Sequence, residues 1–300
     1  MRELNALVKR NNKLFFKDKG LFFTSLVTPL ILLVLYVTFL GNVFEDSFRS
    51  AFEETGASVS DKLLNGCVGG ELVSSLLAVC CVTVAFCSNF LMVQDKITGA
   101  RRDFTMAPIK RGTLALGYYF SNLMSTLLVC FGAAAVCFLY LSCIGWYLTA
   151  ADVALALVDV VLLVLFGSAL SGIVNFFLTS QGQISAVETI ISAGYGFICG
   201  AYMPISSFSE GLQKAISFLP GTYGTSLLRN HFLGGAFDEM SNQGVSEQIV
   251  SALKDAMDCN IYFFDKKVDI PAMYMVLGGA IIVLLGIYIL LNLASRKKKK

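Results

Sequence analysis

The chain has 300 residues, of which 56% are hydrophobic and only 15% charged, and its mean hydropathy is +0.70. Soluble domains carry about 25% charged residues, and here the apolar residues occur in uncharged runs long enough to cross a bilayer. The composition therefore excludes an ordinary soluble domain and indicates an integral membrane protein, whereas the net charge of +2 says little by itself.

Residues 1–20 form a charged leader with a helical repeat of apolar side chains. The repeat comprises Leu4, Leu7, Val8, Leu14 and Phe15, and basic residues lie between them. This pattern predicts an amphipathic helix in the membrane surface; a solvated basic leader is the alternative. The apolar run that follows is longer than the hydrophobic region of a signal peptide, so we expect it to remain as a first span.

Hydropathy predicts six membrane spans, at residues 21–44, 72–94, 117–142, 160–178, 184–203 and 271–294. The third comes from an uncharged stretch, 112–151, which as one helix would be about 60 Å long, twice the hydrocarbon thickness. Aromatic rings prefer the two interfaces, so Tyr118 and Tyr119 at one end and Trp146 at the other limit this span. The predicted fold is an all-α integral membrane protein with one domain, 1–300.

Basic residues are concentrated in three short segments. The leader, the loop 95–112 and the tail after the last span hold 16 of the 23 Lys and Arg residues, whereas the loops 45–70 and 204–270 hold seven basic and 13 acidic residues. The positive-inside rule predicts that both termini, the loop 95–112 and the turn TSQGQ (179–183) are cytoplasmic. We expect a multi-pass protein of the plasma membrane. The basic tail is interpreted as a topology anchor; a polybasic lipid-binding cluster is the alternative.

The loop 95–112, DKITGARRDFTMAPIKRG, has five basic and two acidic residues. Its Gly99 and Pro108 indicate more than a linker, and we expect a cytoplasmic partner to bind here.

The external region 204–270 begins with a segment that is too polar to span the membrane and too apolar for an ordinary loop. Apolar residues at helical spacing, from Leu212 to Leu219, predict one short helix, which Pro220 ends. A second short helix is predicted at Tyr223–Phe232. Two such helices would dip into the outer leaflet. A third stripe, Ile249 to Met257, predicts a helix on the outer surface.

Catalytic and metal-binding motifs are absent from the sequence. There is no phosphate-binding GxxxxGK[ST] loop, no CxxC pair and only one histidine, and most of the nine cysteines lie in apolar runs. Cys67 and Cys259 fall in predicted external loops, where a disulfide between them is an open alternative. His231 has no acid nearby in sequence and is expected at an interface. We expect no catalytic residue, no metal, no cofactor in this chain and no nucleic-acid partner.

Polar residues in the spans have two interpretations. Asp159 directly precedes the fourth span and is expected in the outer interface. Glu188 lies about one turn past the TSQGQ corner; its carboxylate either reaches back to cytoplasmic water or lines the entrance of a cavity. Asn122 and Ser125 on the third span either join helices by hydrogen bonds or line a substrate pathway.

Two stretches together resemble a known family. In the loop, Gly99 is followed nine residues later by Pro108, within Ala107-Pro108-Ile109-Lys110-Arg111, and an acid–base pair, Asp95 and Lys96, precedes them. Ahead of the last span the matching positions are Gly200, Pro204, Phe208, Leu212, Pro220, Tyr223, Arg229 and Gly234. In this order, on six spans, they resemble the membrane subunit of an ABC-2 type ABC transporter.

The resemblance implies a function. The chain would be the permease subunit of an ATP-driven exporter, forming a substrate pathway with a second permease subunit, identical or not, among membrane lipids. Separate ABC ATPase subunits would hold ATP and Mg²⁺, so the chain itself would not be an enzyme. The loop 95–112 would be a coupling helix, and Pro204, Pro220, Tyr223 and Arg229 would belong to re-entrant helices. The coupling residues would be Asp95, Lys96, Gly99, Arg101, Arg102, Asp103, Pro108 and Arg111, and the pathway candidates Asn122, Ser125 and Glu188.

Two other classes compete with this interpretation. A secondary transporter or channel would need polar sites near the bilayer midplane and often has internal repeats, which the sequence does not show convincingly. An intramembrane hydrolase would need a Ser/His or paired-Asp constellation, which is also missing. Purification in mild detergent distinguishes them, because only a permease of this family would bring an ATPase with it.

Overall fold

A computed structural model describes residues 2–53, 60–107, 109–264 and 266–294 of the chain. Within these ranges the protein is built from α-helices and one two-stranded hairpin. The helices are α1 (Arg2–Lys17), α2 (Lys19–Leu35), α3 (Gly41–Glu53), α4 (Asp61–Ile97), α5 (Ala100–Met106), α6 (Arg111–Ile144), α7 (Ala150–Phe177), α8 (Gln181–Ile198), α9 (Glu210–Ile216), α10 (Pro220–Asn242), α11 (Glu247–Ala256) and α12 (Ile270–Ala294). A π-helical turn, Tyr36–Leu40, joins α2 to α3, and a 3₁₀ turn, Ile205–Ser207, precedes α9.

The leader folds as the predicted amphipathic helix. Helix α1 buries Leu7, Asn11 and Phe15 and packs mainly on α6. It then turns by 74° into α2, where the Asp18 carboxylate accepts a hydrogen bond from the backbone N–H of Leu21 at 3.1 Å and so caps the new helix. This bend suits a helix that lies on the membrane surface and continues into one that enters it.

Helix α4 is the central element. It has 37 residues, and 94% of its most apolar 18-residue window is buried inside the protein, against α2, α6, α7, α8 and α10. At 1.5 Å per residue it is about 55 Å long, because it continues as a helix beyond both ends of the predicted span 72–94. The lipid-exposed helices of the bundle therefore surround a helix that meets almost no lipid.

The all-α membrane fold is confirmed, but the number of spans stays a prediction. Four described helices, α4, α6, α7 and α12, are long and apolar enough to cross a membrane, or five if the bent pair α1 and α2 is one span. Helix α8, at the predicted fifth span, has 18 residues. Helix α7 begins ten residues before its predicted start, because Thr149 and Asp152 form a capping box there.

The region between α8 and α12 is more helical than expected. Helices α9 and α11 match two predicted stripes. The second re-entrant helix was predicted too short, since α10 extends to Asn242; Pro220 is its first residue, where the missing N–H costs nothing. An antiparallel hairpin that the sequence did not predict, β1 (Ile261–Phe263) with β2 (Lys266–Val268), precedes α12.

Cys67 and Cys259 are both free thiols. They are buried in the same apolar cluster, between the first two turns of α4 and the segment after α11. The disulfide alternative is therefore wrong for this structure.

Candidate functional site

The basic loop folds into a short helix between two long ones. Helix α4 ends next to Gly99, whose φ of +86° lies in the left-handed region that only glycine adopts freely. The chain thereby reverses into α5, a helix of seven residues. Pro108, the other residue of the predicted frame, lies outside the described residues.

An ion pair joins α1 to the end of α4. The Arg10 guanidinium donates two hydrogen bonds to the Asp95 carboxylate, Nη1 to Oδ2 at 2.7 Å and Nη2 to Oδ1 at 2.9 Å. The Tyr118 hydroxyl of α6 donates a third at 2.7 Å. Asp95 is 4% exposed, so these three donors replace the water that the carboxylate loses. Three elements of the fold therefore meet at one buried carboxylate.

The same arginine also contacts α5. The guanidinium carbon of Arg10 lies 4.9 Å from the centre of the Phe104 ring, a cation–π contact. Arg102 and Asp103 are exposed, and Met106 is 71% exposed. Helix α5 thus has an inner side tied to the bundle through Phe104 and an outer side that is free to bind a partner.

The Lys96 side chain caps the C-terminal end of α7. Its ammonium group donates to the backbone carbonyls of Asn175, Phe176 and Leu178 at 2.8, 2.7 and 2.8 Å. Carbonyls in the last turn of a helix have no partner within the helix and carry partial negative charge, so a cation there satisfies both needs. The adjacent residues Asp95 and Lys96 thus fix α4 to α1 and α6 on one side and to α7 on the other.

Two of the three pathway candidates are buried between helices. The Asn122 amide donates to the Ser171 hydroxyl of α7 at 3.3 Å, and the Ser125 hydroxyl donates to the side-chain oxygen of Asn12 in α1 at 3.2 Å. Both residues are at most 2% exposed. Their positions favour the first interpretation, hydrogen bonds that join helices.

Glu188 lies in an open cleft between α2 and α8. The cleft has a volume of about 680 Å³ and is lined mostly by apolar side chains, with Glu188 as the charged residue among its described walls. The α2 wall is unusually exposed: Ile31 is 49% exposed, and Phe39, in the turn after α2, is 63% exposed. Of the pathway candidates, only Glu188 faces a space that a cargo could occupy.

At the opposite end of the bundle, Arg229 of α10 is buried among acids. It is 1% exposed and contacts Glu71 of α4 at 2.5 Å and Asp258 at 3.0 Å, and it donates to the Gly200 carbonyl at 2.7 Å. Burial raises the pKa of the Asp258 carboxyl, and the attraction of the guanidinium opposes that rise. The network fixes α10 and the segment after α11 to the central helix. Glu71 was missed, because in sequence it is only the last acid of a polar loop.

Pro204, Pro220 and Tyr223, the other residues predicted for the re-entrant helices, lie at or before the start of α10. Pro220 begins α10, and the Tyr223 hydroxyl donates to the Ser217 carbonyl at 2.6 Å. Pro204 precedes the 3₁₀ turn. They position the start of α10, where the chain turns back into the protein.

Asp159 and His231, both expected at a membrane interface, are buried against each other inside the protein. Asp159 is fully buried inside α7; its carboxylate lies 2.6 Å from His231 Nδ1 on α10 and accepts a hydrogen bond from the Tyr274 hydroxyl of α12 at 2.7 Å. The partners are 72 and 115 residues apart, so no local pattern points to them. One signal was the acid Asp159 within a long apolar segment, together with the single histidine of the sequence.

Comparison with known proteins agrees with this architecture. The family model described as "ABC-2 type transporter" matches residues 2–233, from α1 to the middle of α10. A search of curated proteins finds no match. With more than half of its length matched, the chain belongs to the ABC-2 type transporter family and is a membrane permease component of that family.

Proposed function

We propose that this chain is the permease subunit of an ATP-driven exporter in the plasma membrane. The end that carries α1 and α5 faces the cytoplasm, as do both termini. Energy comes from a separate ATPase subunit, which holds ATP and Mg²⁺, and a second permease subunit completes the pathway. The family membership supports the general role, and the concentration of basic residues at one end supports the orientation.

The observation that carries the proposal is the attachment of α5. Its Phe104 lies on Arg10, Arg10 is bonded to Asp95, and Asp95 is bonded to Tyr118. A displacement of α5 is therefore passed to α1, α4 and α6 together. When the ATPases close on ATP, they move α5 and favour one of two arrangements of the spans, inward-open or outward-open.

The pathway lies along the cleft between α2 and α8. Its described walls are mostly apolar with one carboxylate, that of Glu188, which suits an amphiphilic cargo. A second permease subunit placed against the exposed face of α2 would convert the open cleft into an enclosed one. Replacing Ile31 with Trp should then block transport without changing ATPase binding.

The test is purification of the chain in mild detergent from its own cells. We expect an ATPase to accompany it and expect the triple variant Arg102→Ala, Asp103→Ala, Met106→Ala to lose that ATPase together with ATP-dependent transport. Lys62→Ala, an exposed residue at the opposite end of α4, is the matched control and should keep both. Equal amounts of ATPase on the wild type and the triple variant would contradict the proposal.

One observation favours a second function, proton-driven secondary transport. Asp159 and His231 form a buried carboxylate–imidazole contact inside the helical bundle, and Asp and His side chains within membrane helices occur in proton relays. Proteoliposomes separate the two functions. Uptake driven by a pH gradient with the chain alone, lost in Asp159→Asn, would support the second function, whereas a need for both the ATPase and ATP supports the first.

A further inference from the structure

A second cavity lies at the basic end of the bundle. Its volume is about 450 Å³, within the range of about 300–1,000 Å³ typical of small-molecule sites. It opens between α5, the first turn of α6 and the last turns of α4, α7 and α12. Lys96, Arg101 and Arg111 line it, with the polar side chains of Thr105, Thr179 and Asn292. None of the described residues that line it is acidic.

Within the described part of the chain, the two arginines of this cavity have no acidic partner. Neither Arg101 nor Arg111 lies within ion-pair distance of a carboxylate among the described residues, in contrast to Arg10, Arg49 and Arg229. Lys96 differs, since its three N–H groups are already used by the end of α7. The cavity therefore presents two free guanidinium groups beside a fixed positive charge.

The acid that could have neutralised the arginines is held elsewhere. Asp95 directly precedes Lys96 in the chain, but its carboxylate is buried and accepts hydrogen bonds from Tyr118 and Arg10. Tyr118 itself lines the cavity. The site thus keeps a net positive charge, which is what an anionic ligand with several oxygens requires.

The surroundings of the cavity indicate that the anion is part of a lipid. Arg111 also lines an adjoining space of about 670 Å³ between the start of α6 and Leu293 of α12. Helix α12 is mostly exposed, with only 17% of its apolar window buried, and Leu290 and Leu293 are 66% and 53% exposed. Next to the charged cavity there is therefore an apolar surface for acyl chains.

We propose that this cavity binds the phosphate of an anionic phospholipid. Arg101 and Arg111 hold the phosphate oxygens, and the acyl chains lie along α12. Basic cavities between membrane helices are known to recognise such head groups. The lipid would connect α5 to α6 and α12 through the face of α5 that carries Arg101 and Thr105, which neighbours the face with Arg102, Asp103 and Met106 that we assign to the ATPase. The inference does not depend on ATP coupling.

The test is lipid binding to the purified full-length chain, measured by native mass spectrometry with phosphatidylglycerol and phosphatidylcholine. The wild type should prefer phosphatidylglycerol. Arg101→Gln and Arg111→Gln should each weaken phosphatidylglycerol binding about fivefold, and the double variant about 25-fold, since a basic residue near an anionic lipid contributes about 1 kcal/mol. Arg102→Gln removes the same charge from the exposed side of α5 and should change the affinity less than twofold.

Three results would overturn the proposal: equal affinity for the two lipids, an unchanged affinity in the double variant, or the same loss in Arg102→Gln. If the double variant does not fold, the pair Arg111→Lys and Arg111→Gln tests the same point, because the lysine should retain most of the binding. Glycerol phosphate is the soluble probe. If the double variant loses glycerol phosphate binding but not lipid binding, the cavity serves a free phosphate and the lipid proposal is wrong.

Discussion

Replacing Arg10 with methionine should detach α1 from the bundle. The change removes two charge-assisted hydrogen bonds of 2.7 and 2.9 Å and leaves the Asp95 carboxylate, 4% exposed, with Tyr118 as its remaining side-chain donor. A fully buried broken ion pair costs about 3–5 kcal/mol. Because the Arg10 side chain is 32% exposed, we expect the broken ion pair to lower the free energy of unfolding by about 2 kcal/mol. The lost contact with Phe104 lowers it by about 0.5–1 kcal/mol more.

Two measurements follow from this magnitude. Trypsin should cleave α1 about 100-fold faster in Arg10→Met, because cleavage follows the population of the opened helix and 1.4 kcal/mol corresponds to a factor of ten. A double-mutant cycle with Asp95→Asn, followed by SDS-induced unfolding, should give a coupling energy of about 1.5–2 kcal/mol.

The control is Lys9→Met, which removes an exposed charge from the neighbouring position of α1 and should cost less than about 0.5 kcal/mol. If Arg10→Met is as stable and as resistant to trypsin as Lys9→Met, the attachment of α5 through Arg10 is refuted, and with it the route proposed for coupling.

Three further substitutions test other parts of the structure. Gly99→Ala should cost about 1–2 kcal/mol in unfolding free energy because of the φ of +86°, whereas Gly112→Ala, in an open helical position, should be neutral or stabilising; equal effects would exclude the left-handed turn. Lys96→Met should destabilise by about 1.5–3 kcal/mol through the three lost carbonyl contacts, and hydrogen exchange at the end of α7 should rise, a change that Lys62→Met should not produce. Arg229→Met leaves Glu71 and Asp258 unpaired and should cost about 3–5 kcal/mol, visible as a lower yield of folded protein. Arg49→Met, which breaks an exposed pair with Glu45, should leave the yield close to that of the wild type, and similar yields of the two variants would argue against the buried network.

Hydropathy located the four long apolar helices α4, α6, α7 and α12 because each apolar run is continuous in sequence. The predicted span 72–94 lies wholly inside α4, and 271–294 coincides with α12 within one residue. The ends differ because a helix does not stop at the membrane boundary. Helix α4 continues to Ile97, and α7 begins at the Thr149 cap, in segments whose polarity had been taken as the limit of the span.

The contacts of the candidate site could not be predicted in the same way. Arg10 and Asp95 are 85 residues apart, and the partners of Asp159 lie on two other helices, so no local spacing relates them. Helix α10 was underestimated for a different reason: its polar residues, such as Arg229 and His231, suggested exposure, but each is buried against an acid of another helix. The motif around Gly99 was found because its glycine is required by a backbone angle rather than by a distant partner.

The most direct test of the central proposal is transport by proteoliposomes that contain the purified chain with and without the ATPase that accompanies it, in the presence of ATP or of a non-hydrolysable analogue. We predict transport only with both ATPase and hydrolysable ATP, and its loss when Arg102, Asp103 and Met106 are replaced with alanine. Transport by the chain alone, at the same rate with or without ATP, would contradict the proposal that this permease is driven through α5.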